Sequence, residues 1–452
     1  MEHFAINKLK LKNFRKYEHQ SFDLNPHMNV FVGRNSSGKT TVLEAACVIM
    51  GAYLAAYKKY VASQYVQNIS DSDILLKINL PREGELPVGV VSPSQTKQFP
   101  CSVACELQWD DKIINFQRLI EKEGGRTKFD GKNPMQKMIS DWENAIKKAD
   151  GSDQEQIYPL VLYLSSARLW NESRSGKEMD CIPARLDAYQ RCLDGKRGNQ
   201  SAFEYIKLLR NLAIEENDGK PYPAYEAIMG AVKYSLKEEI EENQDIIFSS
   251  RYNEIALKNA DSTVIRFASL SDGYRNVIKI VTDIATKMCI LNPYAGAEVL
   301  KKTPGVVIID ELDLSLHPTW QKRIIRILKE LFPKVQFICA THSPFIIQSL
   351  EEGELIILDD IEEEEVYAGQ SIEDIAEDIM GVEFVHYSEK KEEMYKAAKT
   401  YFEALQERNI TKEKLEQLRQ RAEELEAIYS DNPAYAAYIK LKYLERKNEI
   451  EG

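Results

Sequence analysis

The sequence predicts an α/β fold built on a parallel sheet, and three stretches predict it. Val306-Val307-Ile308-Ile309 is an unbroken apolar run that reads as a buried central strand. Asp310 and Glu311 emerge together at its carboxyl end, where open α/β sheets bind their ligands. Met28–Val32 is a second short strand that runs directly into Gly33-Arg34-Asn35-Ser36-Ser37-Gly38-Lys39-Thr40, and Thr41–Met50 continues as a helix. Lys334–Cys339 is a third strand, ending in Ala340-Thr341-His342-Ser343-Pro344, so His342 sits at a strand tip on the same side of the sheet.

Bulk properties narrow the field. The chain has 452 residues, enough for two or three units of ordinary domain size, and its 44% apolar content is that of a soluble globular protein. A net charge of −12 excludes a uniformly basic nucleic-acid glove, so any DNA or RNA contact must be a local basic patch. The seven cysteines include no C-x-x-C pair, and Cys101 and Cys105 have no histidine nearby to complete a zinc set; all seven read as reduced thiols of a cytoplasmic protein. The charged, alternating N-terminus is not a signal peptide. The longest apolar run, Val42–Tyr57, carries Glu44 and Gly51 and is too short and mixed to span a bilayer, so no membrane partner is expected.

In chain order, Ile6–Lys12 alternates, with Ile6, Lys8, Lys10 and Lys12 on one side and Asn7, Leu9 and Leu11 on the other. That predicts an early strand whose lysine face is either solvated or a nucleic-acid contact. Asn13-Phe14-Arg15-Lys16-Tyr17 follows as a turn. The phosphate-loop pattern comes next, with its strand before and helix after. Its glycines let backbone N–H groups curl around phosphate oxygens, and the helix N-terminus adds positive potential. Ile74–Leu80, Val88–Val91, Ser102–Trp109 and Ile113–Ile120 predict an antiparallel lobe. Gln64 and Gln67 fall where a γ-phosphate-sensing glutamine belongs, but no spacing singles either out.

Tyr158–Leu164 is another apolar strand. A helical insert spans about residues 170–245, with Phe203, Ile206, Leu209 and Leu212 recurring at three and Ile228, Val232, Leu236 and Ile240 at four. Its length excludes coiled-coil arms of hundreds of residues. After strands at Ile246–Phe248, Ile255–Leu257 and Ile265–Ser269, Leu270-Ser271-Asp272-Gly273-Tyr274-Arg275 opens a helix with its apolar stripe at Val277, Ile278, Val281, Ile284 and Ala285. Thr319–Leu331 predicts an amphipathic helix, Glu354–Leu358 the last strand, and Glu362–Glu365 an acidic run. Ser388–Ile450 is helical throughout. Asn432 and Pro433 mark the start of its last helix, along which Tyr435, Tyr438, Ile439, Lys442 and Tyr443 form a stripe for core packing or docking.

Gly33–Thr40, Leu270–Tyr274, Ile309–Glu311 with Leu316-His317-Pro318, and Ala340–Pro344 stand in the order of Walker A, signature, Walker B and a terminal histidine. On these motifs the chain resembles an ABC-type ATPase head of the SMC/RecF/OLD class over residues 1–385. The remainder, 386–452, is a helical region for partner binding. Chain size, Tyr163-Leu164-Ser165-Ser166-Ala167-Arg168 and Asn432-Pro433-Ala434-Tyr435 make it similar to the ATPase subunits of Septu and retron antiphage systems, which stand beside an HNH nuclease. Asp272 and Tyr274 depart from the transporter signature. Too little chain follows His342 for a Toprim domain, so no nuclease is expected in this chain.

The resemblance implies ATP and Mg²⁺ as cofactors. It implies that Gly33, Arg34, Asn35, Ser36, Ser37, Gly38, Lys39, Thr40 and Thr41 hold the phosphates and that Thr40 and Asp310 organise the metal. Glu311 is expected to activate water and His342 to contact the γ-phosphate, with Lys39 completing the catalytic set. Phe14, Arg15 and Tyr17 are candidates for the adenine side. Ser271, Asp272 and Gly273 are expected to close on the nucleotide of a second copy, in a dimer or higher even-numbered oligomer. Two functions fit: a slow ATP-gated sensor and scaffold controlling a partner nuclease in antiphage defence, or a RecF-like DNA-repair ATPase clamping DNA on its lysine face.

Overall fold

Five strands pair in parallel in the order Leu355–Ile357, Met28–Val32, Val335–Ala340, Gly305–Ile309 and Leu160–Leu164. In this computed structural model the described residues are 2–57, 60–79, 94–148, 156–169, 179–195, 200–216, 219–241, 243–249, 251–358, 370–378, 380, 389–405, 412–428 and 433–451. The expected strand Val88–Val91, the acidic run Glu362–Glu365 and the cap residue Asn432 lie outside them.

The three middle strands are buried along their whole length, which is why they read as continuous apolar runs rather than as alternation. Their register aligns the carboxyl ends: Ile309 lies beside Cys339 and Leu164, and Ala340 beside Phe31. Gly33, Thr341 and Asp310 therefore leave the sheet along one edge. The phosphate-loop helix Lys39–Leu54 follows, and most of its side chains are buried. The apolar stretch Lys39–Tyr57 is long and apolar enough to cross a membrane, but 78% of its apolar window is buried inside the fold, as in a core helix.

A second, antiparallel sheet has the order Tyr17–Asp23, Phe4–Phe14, Cys101–Trp109, Lys112–Ile120 and Lys128–Phe129. Here the alternation expected for the first strand is broken. The register shifts between Ile6 and Lys8, and this bulge turns Ile6 inward, so it is buried with Leu9 and Leu11 rather than exposed with the lysines. The fully buried Gln336 of the parallel sheet donates to Ile6 O and accepts from Ile6 N–H, each at 2.8 Å, tying the two sheets together at the bulge. Lys8 is paired with Asp23 at 2.7 Å.

The insert contains helices Gln200–Glu216 and Pro223–Leu236; Ile240 falls beyond the second, which ends at Leu236. A three-stranded antiparallel sheet, Asp245–Ser249, Glu254–Lys258 and Val264–Arg266, leads to the long helix Asp272–Leu291. The helix expected over 319–331 is two pieces, Pro318–Gln321 and Ile324–Leu331, broken at Lys322 and Arg323.

The chain divides into two compact units, residues 1–375 and 376–452. The second unit holds helices Glu389–Leu405, Lys412–Ile428 and Pro433–Glu451, with a core of its own that includes Tyr401, Leu418, Leu425, Ile439 and Tyr443. The tyrosine stripe is thus split. Ile439 and Tyr443, four residues apart, share the inward face, whereas Tyr438 stands about 100° round the helix from Ile439 and is 45% exposed.

Candidate active site

The loop between Val32 and Lys39 takes its shape from backbone that ordinary residues avoid. Gly33, Ser36 and Gly38 all have positive φ, at 149°, 70° and 101°. This winds successive N–H groups toward one concavity at the start of a sixteen-residue helix with no acidic residue in its first turn. A Cβ at Gly38 would also lie 2.6 Å from Tyr17 Oη, so that side chain would have to shift. Ser37 Oγ is enclosed and has no hydrogen-bond partner among the described residues. An orphaned hydroxyl inside an N–H-lined loop fits a phosphate oxygen as its missing partner. Lys39 Nζ folds back onto the loop, donating to Gly33 O at 2.7 Å and Arg34 O at 3.1 Å.

Across the strand ends, Thr40 Oγ1 donates to Asp310 Oδ2 at 3.3 Å, so the second half of the sequence is brought to the first. Asp310 is 6% exposed, and Thr40 faces solvent. Among the described residues no three His, Cys, Asp or Glu side chains form a ready-made metal cage. A hydroxyl and one carboxylate are nevertheless the hard oxygen donors that suit Mg²⁺, which keeps waters and takes phosphate oxygens for the rest. Glu311 has φ 48°, left-handed for a non-glycine residue. Strain of this kind concentrates at functional positions. Partial burial, with the positive charge of Lys39 adding to it, lowers the pKa of His342; Asp313, Glu311 and Asp310 oppose the shift. The shift favours the neutral imidazole.

The adenine-side expectation needs correction. Phe14 is 0% exposed and has no face to offer a base. Arg15 is tied at both ends of its guanidinium, to Glu44 of the phosphate-loop helix and to Asp73 at 2.8 Å. Burial raises the Glu44 pKa, and Arg15 pulls it back. Tyr17 Oη donates to Ser37 O at 3.1 Å, and Lys16 Nζ reaches Ser36 O at 3.5 Å. These residues brace the loop from outside. Gln67 places its carbonyl on Arg118, 2.6 Å away.

Ser271 and Asp272 are exposed at the start of the helix Asp272–Leu291, where Ser271 makes no capping bond and Asp272 pairs with Arg275. Gly273 packs on its own chain's turn, with a Cβ position 3.4 Å from Ser315 O. Asn276 Nδ2 donates to Leu314 O at 2.6 Å. Sequence reasoning named Ser37 within the loop but missed Asn276. Only the apolar stripe around Asn276 hinted that a polar residue on that face would need a partner.

A family model for an AAA domain matches residues 8–247, just over half of the 452-residue chain. The chain is 24% identical over 377 residues to a retron Vc95 probable ATPase of Vibrio cholerae serotype O1 biovar El Tor, covering 79% of this chain and 65% of that protein. It is 34% identical over 180 residues to the Septu protein PtuA of Bacillus thuringiensis, covering 37% of this chain and 42% of PtuA. The chain thus spans less than two thirds of the length of either relative. The SMC head domain from Thermotoga maritima aligns with 77% of this chain and 92% of its own at 14% identity, with a TM-score of 0.38.

Proposed function

The chain belongs to the AAA-domain family, and on that premise we propose that it binds ATP with Mg²⁺ and hydrolyses it slowly, as a switch. The observation that carries this reading is the meeting of Lys39, Thr40, Asp310, Glu311 and His342 at aligned ends of adjacent parallel strands. Lys39 turns from the carbonyls of Gly33 and Arg34 to the phosphates, and the loop N–H groups with Ser37 Oγ complete the cradle. Thr40 and Asp310 would hold Mg²⁺, whose chemistry there would be charge neutralisation on the phosphates. Glu311 orients and deprotonates the attacking water, and His342 contacts the γ-phosphate. Ser271 and Asp272, exposed at the start of their helix, and the buried Gly273 behind them are the residues of a second copy that would close each site.

Likeness to retron and Septu ATPases supports a cytoplasmic role in antiphage defence, in which ATP-dependent closure restrains or delivers a separate HNH-type nuclease. The chain's second unit is the docking module in this reading. Its outer face offers Tyr438, Leu441 and Leu444, all exposed, on the helix whose opposite face fills the unit's core. In the alternative DNA-clamp reading, Lys10 and Lys12 would carry the contact together with Lys8, which pairs with Asp23 at the surface. Co-expression with the product of a neighbouring gene, an HNH-type nuclease in this reading, tests the proposal. The 452-residue chain should retain the nuclease on a column, and a chain ending at Glu389 should bind ATP yet fail to retain the nuclease. Equal capture by both would refute the docking role.

A further inference from the structure

Asp313 lies two residues beyond Glu311, in the turn that leaves the acidic strand. Its Oδ1 accepts two hydrogen bonds from the neighbouring strand's exit, from Thr341 Oγ1 at 2.5 Å and from the His342 N–H at 3.1 Å. The Thr341 hydroxyl is itself an acceptor for the Ser343 N–H at 3.0 Å, and Thr341 is 1% exposed. One residue earlier on each strand exit, Leu312 N–H donates to Ala340 O at 2.9 Å. The exits of two parallel strands are thus laced side by side, beyond the point where their β-ladder ends at Ile309 and Cys339.

No residue of this lacing except His342 belongs to the set that the proposed function assigns to the nucleotide. A carboxylate suits the position because both groups facing Oδ1 are donors, and bonds to an ionised acceptor are about twice as strong as neutral ones. We propose that Asp313 is a positioning residue for hydrolysis: it fixes the backbone of His342 relative to Glu311, and so sets the rate of turnover without touching ATP. The inference rests on His342 acting at the γ-phosphate, as proposed above. Its loss would free the histidine loop by a fraction of an ångström to an ångström, a displacement sufficient to cost orders of magnitude in rate.

The test is steady-state ATP hydrolysis by full-length Asp313→Ala, Asp313→Asn, Thr341→Val, Thr341→Ser, the Asp313→Ala/Thr341→Val double variant and His342→Ala. Asp313→Ala should lower kcat by at least about tenfold with KM for ATP within about threefold, the pattern of a lost transition-state arrangement. Asp313→Asn keeps an acceptor without the charge and should fall between. Thr341→Val preserves shape, lowers kcat and should be rescued by Thr341→Ser. The double variant should be no slower than Asp313→Ala, since both changes cut the same link. Wild-type kcat in both Asp313→Ala and Thr341→Val, while His342→Ala has lost turnover, would overturn the inference. A raised KM at unchanged kcat in Asp313→Ala would also overturn it. Wild-type turnover by His342→Ala would instead sink the underlying reading of the histidine.

Discussion

Asp283 carries a charge where the fold tolerates one poorly. It sits mid-way along the helix Asp272–Leu291, and burial pushes its carboxyl up to about 7, with Lys287 and Lys279 pulling the other way. In the unfolded chain an aspartate titrates near pH 4. Between those values the folded state holds more protons than the unfolded one, so stability from this group falls as pH rises from about 4 to 7. Asp283→Asn should therefore raise the thermal midpoint, and by more at pH 8 than at pH 5. An equal gain at both pH values, or a loss at pH 8, would show that the carboxylate is effectively solvated. The residues of the active site divide by the same logic of local environment. Lys39, Thr40, Asp310, Glu311 and His342 could be proposed from sequence because each follows a strand in a motif whose spacing suits phosphate and metal chemistry. Asp313 could not, because the role proposed for it rests on a hydrogen bond across twenty-eight residues to Thr341 and leaves no local pattern.

Elements were legible wherever periodicity and burial coincide. The parallel strands at 28–32, 305–309 and 335–340 are apolar throughout because both faces are covered. The first strand misled at Ile6, since a bulge reverses inside and outside and depends on Gln336, more than three hundred residues away. Phe14 and Arg15 misled likewise: their turn approaches the phosphate loop, but burial and the pairing to Glu44 and Asp73 turn them from ligand toward scaffold. The phosphate-loop helix shows how closely such scaffolding packs. Gly51 lies in its interior, where alanine would ordinarily favour the helix by about 1 kcal/mol. Here a Cβ would collide with the backbone carbonyl of Gln67, which Arg118 holds in place, and would crowd the Arg118 guanidinium. Gly51→Ala should thus destabilise the protein by about 1–3 kcal/mol, read from denaturant unfolding. A more stable variant would mean that the segment around Gln67 is free to move away.

At the scale of the whole molecule, two compact units carry separable work in the proposed mechanism. Residues 1–375 contain the strand ends, the phosphate loop and the signature helix, whereas residues 376–452 build a helical core of their own. Motif order made the first unit readable from sequence, because a nucleotide site draws its parts from widely spaced strand ends and each part keeps its own signature. The second unit has only helical periodicity, so a core tyrosine such as Tyr443 and an exposed one such as Tyr438 looked alike until the helices were packed. The central claim is that the edge of the parallel sheet binds ATP and hydrolyses it. Separate measurement of ATP affinity and of turnover in wild-type, Lys39→Ala and Glu311→Gln protein tests it most directly. Wild-type protein should hydrolyse ATP, and Lys39→Ala should lose affinity. Glu311→Gln should bind ATP within a few-fold of wild type while turning over at least about a hundredfold more slowly, as loss of a general base requires. Wild-type turnover by Glu311→Gln, or undiminished affinity in Lys39→Ala, would contradict the claim.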